Sequence, residues 1–121
     1  MEKVNLQDAF DSFDEHWSPR LAGELNEQAV KLAKAEGDFV WHKHENADEL
    51  FLVQSGELRI EFREEPNVTL QPGEFVVVPR GVEHRPVAEE EVEMLLFEPS
   101  ETRNTGDVEA EETETDLERI D

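Results

Sequence analysis

The chain has 121 residues, 11 basic against 32 acidic side chains, a formal charge of -21 and no cysteine. That length allows one domain, and the missing cysteines exclude disulfides and thiolate metal sites. The charge argues against nucleic acid and anionic membrane surfaces as direct partners. With 36% hydrophobic residues the core is modest, and pairing with a second copy is the expected way to bury more apolar surface. The opening MEKVNLQDAF holds no apolar leader segment, and no run is long enough to span a bilayer. The expectation is a cytoplasmic protein.

In chain order, residues 1–19 read as an arm. Leu6, Ala9, Phe10 and Phe13 fall at helical spacing, and Asn5 is placed to cap them. Phe10, Phe13 and Trp17 need burial, against the outside of the fold or a partner subunit. His16, within DEHWSP, reads as a surface or hydrogen-bonded histidine.

Arg20–Asn26 and Gln28–Glu36 read as two early strands, the second ambiguous with helix because of its alanines. Gly37-Asp38 reads as a turn and Phe39–His44 as a strand. An extended His42-x-His44 aims both rings to one side, with Trp41 and Lys43 on the other. Glu45–Asp48 is polar and aperiodic, so it reads as a turn. Glu49 then opens the strand Glu49–Gln54. Both faces of that strand are apolar, with Phe51 and Val53 beside Glu49 and with Leu50 and Leu52 opposite, so cover on both sides is expected.

Leu58–Phe62 alternates cleanly, Val68–Leu70 is a short strand, and Phe75–Val78 reads as a buried strand that meets the turn Pro79-Arg80-Gly81. His84 follows, in Glu83–Val87, and Val92–Phe97 closes the series. Phe51, Val53, Phe75, Met94 and Leu96 are the expected core, some of them lining a cavity. Many short strands with regular turn signals and little helix predict an all-β sandwich or barrel.

Two imidazoles and a carboxylate, His42, His44 and Glu49, form a donor set for a divalent metal with positions left open for water or substrate. His84 supplies a third imidazole. Glu45 and Asp48 lie near enough in sequence to stand in for Glu49, but spacing favours Glu49. Arg80 is the candidate anchor for an anionic group of a substrate, the alternative being a solvent-exposed turn residue. Phe51 is the candidate apolar contact.

The stretch from Gly37 to Gly56 fits G-x4-H-x-H-x4-E-x6-G, and that from Gly73 to His84 fits G-x5-P-x-G-x2-H. Together they resemble the two signature motifs of the cupin superfamily, and the chain resembles small one-domain cupins of the mannose-6-phosphate isomerase-like group from about Leu21 to Pro99. The first spacer is one residue shorter than the commonest form. Ala88 stands where an Asn often follows the last His. The resemblance implies a double-stranded β-helix, or jelly-roll barrel, over residues 20–100. It also implies a single divalent ion (Fe, Mn, Zn or Ni) on His42, His44, Glu49 and His84, and a homodimer paired through outer strands. Lewis-acid isomerisation of a hydroxy-ketone or sugar is one implied activity, and dioxygenation with iron is another. In either, Glu49 is a ligand or, if displaced, a base. The alternative is a non-catalytic module that binds a sugar or other small ligand.

Residues 101–121 carry nine acids against two arginines, and most of them are expected to form a solvated tail. Ser100–Gly106 is its one part expected to pack, and Leu117 and Ile120 suggest a short helix in a partner. A regulatory role for the tail is a further reading. Most of the acidity nonetheless lies in the part expected to fold. A chain this acidic repels itself at low ionic strength, which predicts a halophilic setting.

Overall fold

The computed structural model describes residues 1–108, 110, 113 and 117–120. The arm forms one helix, α1 (Leu6–Asp11), capped by Asn5, whose Oδ1 accepts the Asp8 N–H at 3.0 Å. A helix of six residues cannot hold itself in water. Phe10 and Phe13 hold it by burying with Ala9 and Leu32 on the outer face of the sheet, each such ring contributing roughly 2 kcal/mol.

The strands are β1 (Arg20–Leu25), β2 (Gln28–Asp38), β3 (Glu49–Ser55), β4 (Leu58–Phe62), β5 (Val68–Leu70), β6 (Phe75–Val78), β7 (His84–Pro99) and β8 (Glu118–Arg119). β7 ties them together. One edge of β7 pairs with β2 from Asp38 back to Gln28. Its other edge takes β4 in its first half and β3 in its second. β6 extends β3, and β5 extends β4. The result is nearly all-β, as the strand pattern predicts, and a jelly-roll barrel, as the resemblance implies.

Alternation sets the interior. β2 turns Ala33 and Ala35 inward, β3 Phe51 and Val53, β4 Leu58 and Ile60, and β7 Val92, Met94 and Leu96. The alanines that made β2 look helical are small interior residues that leave room beside larger ones on β3 and β7.

Several expectations need correction. Phe39–His44 is not a strand; its only ladder contact is an isolated bridge between His42 and His84. β2 runs on through Gly37-Asp38, where a register shift and a φ of +88° at Gly37 replace the expected turn. The two expected strands Glu83–Val87 and Val92–Phe97 are joined in one strand, His84–Pro99, which carries three exposed acids, Glu89–Glu91, across a register shift against β2. Phe75 is 59% exposed, not core: with Val77 it faces outward from β6, and Val78 is the buried residue of that strand.

The segment after Pro99 packs at its start, with Thr105 fully buried. Near its end Glu118–Arg119 pairs in parallel with β1, and Ile120 joins the α1 cluster, in place of the helix suggested there. The acids at 109, 111, 112, 114, 116 and 121 lie outside the described residues.

Candidate metal centre

His42, His44, Glu49 and His84 come together inside the barrel, all four buried, with one donor atom from each within 4.8 Å of the others. The two motifs meet through backbone. His42 N–H donates to the His84 carbonyl at 3.0 Å, and His84 N–H donates back at 2.9 Å. The Gly81 N–H holds the His44 carbonyl at 2.8 Å. Asp48 Oδ1 accepts the Arg80 N–H at 2.9 Å and the Arg80 Nε–H at 3.3 Å.

Two of the three rings are aimed from behind. His42 Nδ1–H donates to the Val40 carbonyl and His84 Nδ1–H to the Val82 carbonyl, both at 2.9 Å. That fixes the tautomer and leaves the Nε2 lone pair for the interior. Glu49 Oε1 lies 3.2 Å from His44 Nε2 and 3.5 Å from His84 Nε2. Those separations suit ion pairs, yet none of the three atoms makes a well-directed hydrogen bond. Three buried polar atoms unsatisfied in one place are costly. A cation accepting their lone pairs removes that cost, and three imidazoles with one carboxylate are a donor set that suits a divalent transition metal. The residues fit such an ion.

The electrostatics agree. Burial, then repulsion from His84, lowers His42 to about 4, which keeps it neutral and available as a ligand. Burial opposes charge on Glu49, but His44 and His84 outweigh it and hold its carboxyl well below the ordinary value.

A cavity of about 30 Å³ adjoins His42 and Glu49, room for about two waters. Its apolar walls include Phe39, Phe51, Met94 and Leu96. Trp17 closes it from the arm, its ring stacked on Phe39 at 4.7 Å, and Phe39 in turn meets His42 edge-on at 5.4 Å. Trp17 has a φ of +59°, a left-handed backbone that a bulky residue rarely adopts. Its N–H and indole Nε1–H pin it to the carbonyls of Lys34 and Glu36. Elsewhere around His42, Gly106 sits so close that an added Cβ would meet the Lys43 carbonyl and crowd the His42 ring.

Phe51 therefore lines the cavity, with its ring 6.0 Å from that of His84. Arg80 does not; it is 61% exposed and its guanidinium lies on Asp48. Glu45 pairs with Lys43 at 3.1 Å, so neither alternative carboxylate joins the cluster. His16 hydrogen-bonds Glu91 at 2.7 Å on the surface. Trp41 packs outside, under the guanidinium groups of Arg63 and Arg85.

Sequence reasoning missed one buried pair. Glu98 and Lys31 are 1% and 2% exposed, and Lys31 Nζ lies 3.3 Å from Glu98 Oε1. The available signal was parity: Glu98 continues the inward series Met94, Leu96 on β7, one step past the Leu50–Phe97 pairing.

Comparison with known proteins places these features. The Cupin_2 family, described as a cupin domain, matches residues 29–98. A crystal structure of a cupin-2 domain containing protein from Shewanella frigidimarina is 50% identical, with a TM-score of 0.77 over 79% of this chain and 93% of that one. Protein NMB1881 from Neisseria meningitidis is 30% identical, with a TM-score of 0.75 over 82% of this chain and all of that one. The uncharacterized protein YdbB of Bacillus subtilis is 39% identical over 62 residues, 51% of this chain. The chain spans only about half of that curated relative, 55% of its length.

Proposed function

The chain belongs to the Cupin_2 family of cupin domains, and on that premise we propose that it binds one divalent metal ion and acts on a small carbonyl or sugar-type molecule, in isomerase-like or dioxygenase-like chemistry. The supporting observation is the buried, unsatisfied set of lone pairs on His44, Glu49 and His84 beside His42. Iron, manganese, zinc or nickel would suit these donors. Such an ion supplies Lewis-acid polarisation of a substrate oxygen and, as iron, redox chemistry.

The chain's own residues do the rest. The backbone carbonyls of Val40 and Val82 hold two imidazoles as neutral ligands. Glu49 is a ligand and the carboxylate nearest the cavity, hence the candidate base. Phe51 and Trp17 exclude water and limit ligand size. Elemental analysis of untagged protein purified in high KCl tests the reading. Iron would direct the search to catechols and diketones on an oxygen electrode. Manganese, zinc or nickel would direct it to sugar-phosphate isomerisation. No metal, and none on reconstitution, would end it.

One observation favours the second reading, a non-catalytic binder of a sugar or other small molecule. The titratable side chains on the cavity wall, among the described residues, are His42 and Glu49, and both belong to the ligand cluster. Stabilisation by sugars without turnover of any carbonyl compound would select it.

A homodimer and a salt-rich cytoplasm complete the proposal. Val77 and Phe97 flank Leu50, and Phe75 and Leu95 flank Leu52, across the outer face of β6, β3 and β7. Cross-strand partners share a face. Helix α1 covers the Leu95 side, while Phe75 and Val77 stay open. A second copy of this apolar face is the occupant, and a light-scattering mass equal to the monomer would refute it. No helix among the described residues is long and apolar enough to cross a membrane.

A further inference from the structure

We propose that the ligand of this centre is a small, uncharged carbonyl compound with apolar flanks, and that the cavity rejects sugar phosphates and other anions. The inference rests on the metal-binding reading above and narrows the ligands that reading leaves open. Its starting point is the wall of the cavity beside His42 and Glu49. Outside that pair, the polar groups of the wall, among the described residues, are the Asn104 amide and the Trp17 indole N–H. The indole N–H is already spent on the Glu36 carbonyl, at 3.1 Å. The rest is aliphatic or aromatic, from Phe39 and Phe51 to Met94 and Leu96, with Pro19 and Pro86. Neither lysine nor arginine is among these lining residues.

Cations on the elements around the cavity are engaged elsewhere. Lys31 Nζ–H donates to the Thr102 carbonyl at 3.0 Å and lies 3.3 Å from Glu98 Oε1. Lys34 Nζ–H donates to the Phe13 carbonyl at 2.6 Å. Arg20 is held by Ser18 and Glu15, Arg85 by Glu61, and Arg80 by Asp48. A phosphate in the cavity would give up its water beside the Glu49 carboxylate, with no side-chain cation to replace that water. Its approach is opposed too, because a chain with a net charge of -21 repels anions. A sugar meets a different obstacle. Each of its hydroxyls needs a partner once buried, and this wall supplies few. Size adds to both: the cavity holds about 30 Å³, against roughly 300 Å³ or more for a pocket that takes a drug-sized ligand. Two hydrogen bonds fix Trp17 to β2, so the wall does not yield at that end. A small ketone meets neither obstacle. Its oxygen suits a Lewis-acidic ion, and its carbon flanks lie against apolar walls.

The experiment uses three compounds that share one hydroxymethyl-ketone head. In 1-hydroxy-2-butanone the chain ends in a methyl group, in dihydroxyacetone in a hydroxyl, and in dihydroxyacetone phosphate in a phosphate. Each is titrated into full-length, zinc-loaded protein, and binding is read from the NMR signal of the Trp17 indole N–H, assigned with Trp41→Phe. Methyl and hydroxyl are close in size, and only the hydroxyl needs a partner. The hydroxybutanone is therefore expected to bind about tenfold or more tighter than dihydroxyacetone, and the phosphate to leave the signal unmoved. Ala33→Leu narrows the cavity and is expected to abolish the response while zinc is retained; should that variant fail to fold, Ala33→Val carries the same test. Tighter binding of dihydroxyacetone or its phosphate overturns the inference, as does no response to any of the three. Should the protein take up no zinc or other ion, the metal-binding reading fails. The same titrations on metal-free protein then decide the cavity's preference: a response to the hydroxybutanone first supports the inference, and any other order, or none, overturns it.

Discussion

His42 and His84 exchange both of their backbone hydrogen bonds, at 3.0 and 2.9 Å, although 41 residues separate them and neither lies in a continuous ladder with the other. The join between the two motifs is thus made by main chain, and the rings above it are free to serve a ligand. Replacing either imidazole leaves that join in place. His42→Ala and His84→Ala are expected to keep the wild-type circular dichroism spectrum and to lose stoichiometric metal by elemental analysis.

Metal should also be visible as stability. An ion that binds only the folded chain adds about 2.7 kcal/mol at a free concentration a hundredfold above Kd. Adding zinc or manganese to stripped protein is expected to raise the melting temperature, and EDTA to reverse the rise. His44→Ala should abolish the shift. An equal shift in that variant would place the ion elsewhere.

Acid tells the metal-free protein's two buried groups apart. His42 is lowered from 6.5 to about 4 by burial and by His84. Between those values the unfolded chain holds a proton that the folded chain refuses, so stability falls as pH drops, by at most about 1.4 kcal/mol per unit. Glu98 is raised, by burial and then by Glu49; it favours the folded chain at low pH and loses that contribution as pH rises above 4.5. The two oppose each other between pH 4.5 and 6.5. Glu98→Gln removes one of them, so its denaturation free energy should fall more steeply with acid over this window than that of wild type. Parallel profiles would show that Glu98 does not carry the shift.

Trp17 sets strain against packing. Its left-handed backbone costs about 1–2 kcal/mol, and glycine would adopt it freely. The ring nonetheless closes the cavity and donates to the Glu36 carbonyl. Trp17→Gly is expected to destabilise by about 2 kcal/mol in urea and to admit ligands that wild type excludes. A gain in stability would mean that the ring contributes less than the strain.

Charge gives the last test. With a net charge of -21, repulsion should weaken as KCl rises. Circular dichroism and melting are expected to show a better folded protein in molar KCl than in dilute buffer. A protein equally stable in both would remove the halophilic proposal.

Much of this was legible in the chain. Alternation located β4, β5 and β6 to the residue, because Leu58, Ile60 and their neighbours each obey one local rule. The four clustered side chains were legible through spacing. What failed was what depends on partners in space. Phe75 looked like core because apolar type does not tell inside from outside on an edge strand. Glu89–Glu91 looked like a break because solvated acids interrupt an apolar pattern, whereas the strand carries them through a register shift without ending. Lys31 and Glu98 were invisible because a buried ion pair has no local signature; only the pairing of β2, β3 and β7 brings it to Glu49.

Gly106 has a consequence for how the protein is made. A side chain there would run into the Lys43 carbonyl and the His42 ring, and the Asp107 N–H donates to the Lys43 carbonyl while Asp107 Oδ1 accepts the Lys43 N–H. All four donor residues leave the ribosome before this strap does. Until Gly106 and Asp107 are in place, the Lys43 backbone beside the cluster lacks both of these hydrogen bonds. A chain cleaved after Pro99 would stay in that condition while keeping all four clustered side chains.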